Sequence, residues 1–202
     1  MKVGMIFECG PDGADKKVCE HLARMLQKDI EILSLTLDNK QNLVSECGNA
    51  AVQLLKDGCE RILIIWDLYP AWREKKAPCR KEDRAAIMES LAQAEVTSSQ
   101  IYLVCIHEEL EAWLLADGRA ISLVVSKPTH QVKIKDKKNP ERVKNPKKYL
   151  NKIFKENLGC PYLDRQHAKM IVEKLENLTK LQYCPTFVRF AEKLTGINIE
   201  PK

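Results

Sequence analysis

The chain of 202 residues has no long hydrophobic run, and this absence argues first against a membrane protein. Its apolar stretches are far shorter than the ~20 residues that a membrane-spanning helix needs. The N-terminus, MKVGMIFECG, also lacks the long apolar region and the small-residue cleavage site of a signal peptide. The sequence therefore predicts a cytoplasmic protein that makes no contact with a membrane.

Several common motifs are missing as well. None of the eight cysteines forms a C-x-x-C pair, so the sequence indicates neither a zinc ribbon nor a redox-active dithiol. There is no G-x-x-x-x-G-K-[ST] loop and no G-x-G-x-x-G loop, which disfavours the two common kinds of nucleotide-binding enzyme. What the sequence does contain is an uneven distribution of charge and a set of acids that follow apolar runs.

The net charge of +5 is concentrated in one basic segment, residues 127–155. This segment holds ten lysines and one arginine against one aspartate and one glutamate, a local charge of +9 that leaves −4 for the rest of the chain. Such asymmetry is typical of a surface that binds a polyanion, although a solvated loop can have the same composition. The nucleic acid would be RNA or DNA, and the expected contacts are Lys135, Lys137, Lys138, Lys147 and Lys148.

The first half of the chain alternates between strand and helix patterns. Short apolar runs predict buried strands, and the segments between them carry apolar residues at helical spacing. The strands are expected at 2–8, 30–37, 60–66 and 100–106, and the helices at 14–28, 41–56, 82–94 and 108–116. This order predicts an α/β fold with a four-stranded, mainly parallel sheet and helices on both faces.

The second half of the chain predicts only helices. Capping residues mark where these helices begin or end, namely Asn145 with Pro146, Asp164, Pro185 and Gly196. Residues 127–145 lack periodicity and are expected to be flexible. We divide the chain into an α/β core, residues 1–117, and a helical C-terminal extension, residues 118–202, that packs on the core.

Three acids follow predicted strands. Glu8 ends the first strand, Asp67 follows the third, and Glu111 lies shortly beyond the fourth. Ligands of open parallel sheets bind outside the carboxyl ends of the strands, so these acids are expected to share a site. Clustered carboxylates repel one another, and a divalent cation relieves the repulsion, which favours metal-dependent phosphate chemistry. Structural roles remain open: backbone N–H groups for Glu8, and a buried ion pair for Glu111.

Two further residue types have both structural and functional interpretations. His107 lies near the predicted acids and could act as a general base, but a hydrogen-bonded histidine at a strand end is the commoner case. The tryptophans Trp66, Trp72 and Trp113 are more typical of core or surface anchors than of platforms for nucleic-acid bases.

Three motifs resemble those of a known bacterial family. They are Glu8-Cys9-Gly10-Pro11-Asp12-Gly13-Ala14-Asp15, Glu111-Ala112-Trp113-Leu114-Leu115-Ala116-Asp117 and Cys184-Pro185-Thr186-Phe187. The family has a TOPRIM-like three-layer fold and is similar to the TOPRIM nucleases that accompany ABC-type ATPases of the OLD kind in phage-defence loci. The resemblance covers most of the chain, and the Glu-Ala-Trp block is its most specific part.

The resemblance implies a nuclease effector that depends on Mg²⁺ or Mn²⁺ and has an ATPase partner. TOPRIM enzymes hold Mg²⁺ with a glutamate after the first strand and an Asp-x-Asp pair after the third. Glu8 stands at the glutamate position and Asp67 at the first aspartate position, but Leu68-Tyr69 replaces the rest of the pair. A replacement acid is expected among Asp12, Asp15, Glu109 and Glu111.

The expected catalytic residues are therefore Glu8, Asp67 and Glu111, and the expected metal ligands are Glu8, Asp67, Asp12 and Glu109. Because the second aspartate is absent, another hypothesis stays open: a non-catalytic adaptor that binds an ATPase. The sequence does not distinguish a monomer from an oligomer in either case.

Overall fold

The apolar runs of the first half form one sheet, described here from a computed structural model that covers residues 1–71, 77–97 and 99–199. The strands are β1 (Lys2–Phe7), β2 (Glu31–Thr36), β3 (Arg61–Asp67) and β4 (Ile101–Ile106). The helices are α1 (Ala14–Leu26), α2 (Lys40–Lys56), α3 (Arg80–Gln93), α4 (Glu111–Leu114), α5 (Gly118–Val125), α6 (Pro146–Leu158), α7 (Asp164–Val172) and α8 (Pro185–Thr195). Short 3-10 turns lie at Pro140–Arg142 and Lys180–Tyr183.

The sheet has the order β2-β1-β3-β4, and all of its strands are parallel. This confirms the α/β fold that the sequence predicts. The central strand β1 pairs with both β2 and β3, so that Phe7 lies between Thr36 and Ile65. The residues that follow β1 and β3 therefore lie side by side at the carboxyl ends of the strands.

Helices cover both faces of the sheet and make three layers. Helices α2 and α3 pack on one face, where Ile62, Ile64 and Trp66 of β3 point into their cluster. The two helices approach each other so closely that a Cβ on Gly48 of α2 would lie 2.2 Å from the carbonyl oxygen of Ser90. Only glycine fits at that position. No helix among the described residues has the length and apolarity needed to cross a membrane.

The C-terminal helices share the second core with α1 on the opposite face of the sheet. Helix α7 packs on α1, and α8 packs on β4. Trp113 lies at the centre of this core with its ring 5.6 Å from both Phe187 and Phe190. Its indole N–H donates to Thr186 Oγ1 at 2.9 Å. Two of the sequence motifs thus pack against each other, and Trp113 has a structural role. Of the other two tryptophans, Trp66 is also buried and Trp72 lies outside the described residues.

One expectation for the region after β4 is wrong. The predicted helix 108–116 is reduced to α4, because Asp117 accepts hydrogen bonds from the backbone N–H groups of Arg119 and Ala120 and thereby begins a new helix, α5. Residues 127–139 have no regular structure, but they are held against α5. The N–H of Ile134 donates to Ser122 Oγ at 2.8 Å, and the N–H of Lys137 donates to the Leu115 carbonyl at 3.1 Å. These hydrogen bonds fix the position of the segment, although its sequence has no helical periodicity.

Candidate functional site

An acidic cavity of about 280 Å³ lies at the carboxyl ends of β1 and β3. Seven acids line it: Glu8 after β1, Asp15 in the first turn of α1, Asp38 after β2, Asp67 at the end of β3, Glu109 and Glu111 around the start of α4, and Asp164 at the start of α7. Two cations, Lys147 and Arg165, also line it. The strand order brings Glu8 and Asp67 together, and the packing of α7 on α1 adds Asp164.

Glu8 and Asp67 form the centre of the cavity. The backbone N–H of Asp67 donates to Glu8 Oε1 at 3.1 Å, so the two residues are in direct contact across β1 and β3. The other oxygen of Glu8, Oε2, and the Oδ1 atom of Asp67 are buried and have no hydrogen-bond partner. Leaving a buried acceptor unsatisfied costs about 1–3 kcal/mol, and more for a charged group. The fold therefore tolerates an electrostatically costly arrangement at this point.

The ionisation of these acids is strongly perturbed. Burial raises the pKa of Glu8 to about 8, although Lys40 opposes the shift. Burial, together with Asp15 and Glu8, raises the pKa of Asp67 well above its usual range. Burial likewise raises the pKa of Glu111 to about 7. Without a cation the cavity thus holds carboxyl groups that resist ionisation, which is the behaviour expected of clustered acids in a poorly solvated site.

One buried lysine of α2 lies beside Glu8. Lys40 is only 7% exposed, and its Nζ lies 4.0 Å from Glu8 Oε2. The same ammonium donates to the carbonyl oxygens of Leu68 at 3.1 Å and Pro70 at 2.6 Å. Lys40 therefore fixes the loop that follows β3 and supplies one positive charge beside Glu8. Sequence reasoning missed it, although Asn39, which caps α2 through the N–H of Asn42, marked the helix start.

A second lysine lies at the mouth of the cavity. Lys147 is the second residue of α6, and its ammonium pairs with Asp164, while its backbone N–H donates to Glu109 Oε2 at 3.1 Å. Burial alone would lower the pKa of Lys147, but Asp164 and Glu111 together raise it. Asp164 does not cap α7 as the sequence predicts, because it is the first helical residue and binds Lys147 instead.

Of the two aspartates that follow β1, only Asp15, in the first turn of α1, lines the cavity. Asp12 is 82% exposed at its side chain and pairs with Lys17 at 3.4 Å, so the structure places this expected metal ligand on the surface. Asp15 turns inward instead, and burial raises its pKa to about 6. The loop is tight at Gly13, where a Cβ would lie 2.3 Å from the Sγ of Cys9. Glycine is required there, since any side chain would displace Cys9.

The remaining candidates lie elsewhere. His107 faces away from the acids, and its Nδ1 lies 3.1 Å from the carbonyl oxygen of Glu141 beside a separate cavity. Among the lysines expected to bind nucleic acid, only Lys147 lines the acidic cavity. Lys137 lies over the ring of Tyr149 at 4.5 Å. The other three, Lys135, Lys138 and Lys148, are exposed on the surface.

The cavity has the donor atoms that a hard divalent cation prefers. Carboxylate oxygens are the usual ligands of Mg²⁺, and Glu8 Oε2 and Asp67 Oδ1 are two such oxygens without a partner. Within residues 1–71, 77–97 and 99–199, no three His, Cys, Asp or Glu side chains already have the arrangement of a metal site. The fit of the cavity to a divalent cation therefore depends on these two oxygens without a partner and on the other acids that line the cavity.

Comparison with known proteins gives a family but no activity. A family model described as a domain of unknown function, DUF4276, matches residues 12–195. The chain belongs to this family. No curated protein and no solved structure matches it. The DUF4276 match spans both the sheet and the C-terminal helices, so the acids from β3, α4 and α7 all lie within the family domain, whereas Glu8 precedes the matched range.

Proposed function

We propose that the protein is a TOPRIM-like nuclease that depends on Mg²⁺ or Mn²⁺ and cleaves phosphodiester bonds of RNA or DNA. The observation that supports this best is the Glu8–Asp67 pair, with one orphaned carboxylate oxygen on each residue at the carboxyl ends of adjacent parallel strands. A buried carboxylate oxygen without a hydrogen-bond partner is unfavourable, and a bound divalent cation would relieve that cost. The proposal extends to anti-phage defence with an OLD-type ATPase, for which the motif resemblance is the only support.

The residues of the cavity have distinct roles in this proposal. Glu8 and Asp67 hold the cation, and Glu111 and Asp15 supply the oxygens that the absent second aspartate would have given. Lys147 and Arg165, at the mouth, attract the phosphate of the substrate and orient it. Held by these carboxylates, a divalent cation would supply Lewis-acid chemistry for phosphodiester cleavage. Lys40 keeps the loop after β3 in place and so positions Asp67.

Metal binding is the first test, and it can be measured without any activity. Protein stripped with EDTA should gain thermal stability when Mg²⁺ or Mn²⁺ is titrated, by about 2.7 kcal/mol at a hundredfold excess over the dissociation constant. Asp67→Asn and Glu8→Gln should remove the gain. Glu46→Gln, an exposed acid on α2, is the matched control and should keep it. A wild-type protein that gains no stability from either metal contradicts the proposal.

Cleavage is the second test. Labelled single-stranded and double-stranded DNA and RNA are incubated with the protein and Mn²⁺, and the products are separated on a gel. We expect cleavage of at least one polymer, with loss in Asp67→Asn and retention in Glu46→Gln.

A second candidate function is a non-catalytic adaptor of an ATPase. The absent second aspartate favours it, as do the two lysines, Lys40 and Lys147, that already lie beside the acids. An adaptor predicts that divalent cations leave the melting temperature unchanged and that a co-expressed OLD-type ATPase is retained by the wild type and by Asp67→Asn alike.

A further inference from the structure

A second charged cleft lies at the open edge of the sheet. Strand β4 is the last in the sheet order, and a cavity of about 260 Å³ lies along it, between α3 and α8. Three consecutive strand residues, Ile101, Tyr102 and Leu103, line the cavity. Because successive side chains of a strand point to opposite faces, a cavity that touches all three must run along the strand's edge.

The backbone of β4 presents hydrogen-bonding groups to this cleft. The carbonyl oxygen of Gln100 accepts from the N–H of Ile62 at 2.8 Å, so the backbone groups of Gln100 face β3. Backbone groups alternate in direction along a strand. Those of Ile101 and Leu103 therefore face away from β3, towards the cleft. The edge of the sheet therefore presents both N–H donors and C=O acceptors to the cleft.

Two cations line the cleft, and a third lies on the same helix as one of them. Arg84 of α3 and Lys193 of α8 line it, and Arg189 lies one turn before Lys193 on α8. None of the three forms an ion pair with a described residue. Arg189 Nη1 is buried and has no hydrogen-bond partner. Burial, with repulsion from Arg189 and Arg84, lowers the pKa of Lys193. Like charges gathered in this way favour a bound anion.

Apolar side chains also line the cleft, namely Leu91, Val96 and Met88, which is 48% exposed. A ligand that fits this lining carries an anionic group and an apolar or aromatic body. The cavity is slightly smaller than the ~300 Å³ at which small-molecule sites begin, so it accepts one compact ligand rather than a whole peptide strand.

We infer that the cleft between α3, α8 and the edge of β4 binds a nucleoside phosphate. The phosphate would lie against Arg84, Lys193 and the N–H groups of the β4 edge, and the base against Leu91 and Val96. Guanidinium groups match the geometry of phosphate oxygens, and the edge N–H groups add neutral donors. The ligand is either a free nucleotide or the phosphorylated end of a nucleic-acid strand. This site is independent of the acidic cavity and of the proposed nuclease activity.

The test is calorimetric titration of the full chain in EDTA with four probes: adenosine, AMP, and a tetranucleotide with and without a 5′-phosphate. The double variant Arg84→Gln/Lys193→Gln should bind AMP or the phosphorylated tetranucleotide at least tenfold more weakly than the wild type. Lys28→Gln/Lys56→Gln removes the same charge from exposed positions outside the cleft and should bind as the wild type does. Melting temperatures establish that both double variants are folded.

The probes also separate the two sources of ligand. Binding of AMP indicates a free nucleotide, whereas binding of the phosphorylated tetranucleotide alone indicates a strand end. Asp67→Asn should keep the full affinity, which separates this site from the acidic cavity. The inference is overturned if no phosphate-bearing probe binds, if the control variant loses as much affinity as the cleft variant, or if an Asp-rich peptide binds more tightly than every phosphate probe.

Discussion

Two groups of acids in this molecule differ in the hydrogen bonds that their carboxylate oxygens accept. Asp117, 4% exposed, accepts from the N–H groups of Arg119 and Ala120 and from Lys180 Nζ at 2.9 Å. In the acidic cavity, by contrast, Glu8 and Asp67 each leave an oxygen unsatisfied. A buried carboxylate that is fully bonded stabilises a fold, whereas one that is left unpaired marks a place where something else is to be bound.

Glu141 belongs with Asp117. It accepts from the backbone N–H of Thr186 at 2.8 Å and from the Thr186 hydroxyl, which in turn accepts from Trp113. This chain of bonds joins the turn at Pro140–Arg142 to α8 and to the Glu-Ala-Trp block. The most specific motif of the sequence is therefore divided: Trp113 and Asp117 hold the fold, and Glu111, in the same motif, lies in the cavity.

The largest effect should come from removing the charges of the cavity while keeping their shape. Asp67→Asn and Glu8→Gln should each reduce Mn²⁺-dependent cleavage at least a hundredfold, which corresponds to about 2.7 kcal/mol of lost transition-state stabilisation. Asp117→Asn preserves a good helix cap and should stay within about threefold of the wild type, because asparagine and aspartate cap helices equally well. Equal losses in all three variants would remove the distinction between the two groups of acids.

A pH series on metal-free protein tests the same distinction through stability. The pKa of Glu8 is raised in the folded state, to about 8 from an ordinary value of 4.5, so the folded protein binds the proton more tightly than the unfolded chain does. The stability contributed by the protonated group is fully present below pH 4.5 and is lost as the pH rises through about 8. Each pKa unit is worth about 1.4 kcal/mol, so the full shift corresponds to a loss on the order of 5 kcal/mol.

Urea denaturation in EDTA at pH 5, 6, 7 and 8 measures this loss. Glu8→Gln should flatten the pH dependence and raise the stability at pH 8, because a neutral amide needs no proton there. Mg²⁺ should flatten it in the wild type. A metal-free wild type that is equally stable at pH 5 and pH 8 contradicts the burial of uncompensated acids in the cavity.

The opposite sign of the stability change is expected for a mutation of Asp117, whose carboxylate has hydrogen-bond partners. Asp117→Ala removes a helix cap and leaves Lys180 with one acidic partner, Asp136, instead of two. Losing a cap costs about 0.5–2 kcal/mol, and the partly exposed ion pair adds little. We expect a destabilisation of about 2 kcal/mol, measured by urea denaturation at pH 7. Thr179→Ala, a change of similar size on the adjacent 3-10 turn, serves as the control and should cost less.

The sequence predicts the sheet and the strand-end acids because both follow from local patterns. Apolar runs fix the strands to within one residue, and a parallel order then places Glu8 beside Asp67. What it does not predict depends on tertiary packing. Asp12 in the loop and Asp15 in the first turn of α1 stand three residues apart, and only the docking of α1 decides that Asp15 turns inward. The C-terminal acid Asp164 reaches the cavity because α7 packs on α1, a contact that no local pattern shows.

Lysines were the least predictable residues. The dense run of lysines in residues 127–155 predicts one shared surface, yet Lys147 of this run forms an ion pair with Asp164. The buried Lys40, which lies beside Glu8, is far from this run in sequence. The composition of a segment gives its net charge, whereas the fold determines which residue each charged side chain contacts.

The smallest effect concerns the exposed lysines of the basic segment. We expect Lys135, Lys137, Lys138 and Lys148 to contact phosphates without reading bases. Changing all four to Gln should weaken binding alike across sequences and reduce the slope of log affinity against log salt by about 0.7 per lost contact on single strands and about 0.9 on duplex DNA. Anisotropy of labelled RNA and DNA over a salt series measures the slope, with Lys28→Gln/Lys56→Gln as the control. An unchanged slope would mean that the segment keeps its charge only for solubility or for docking on an ATPase, and the acidic cavity would then have to recruit its substrate through Lys147 and Arg165 at its mouth.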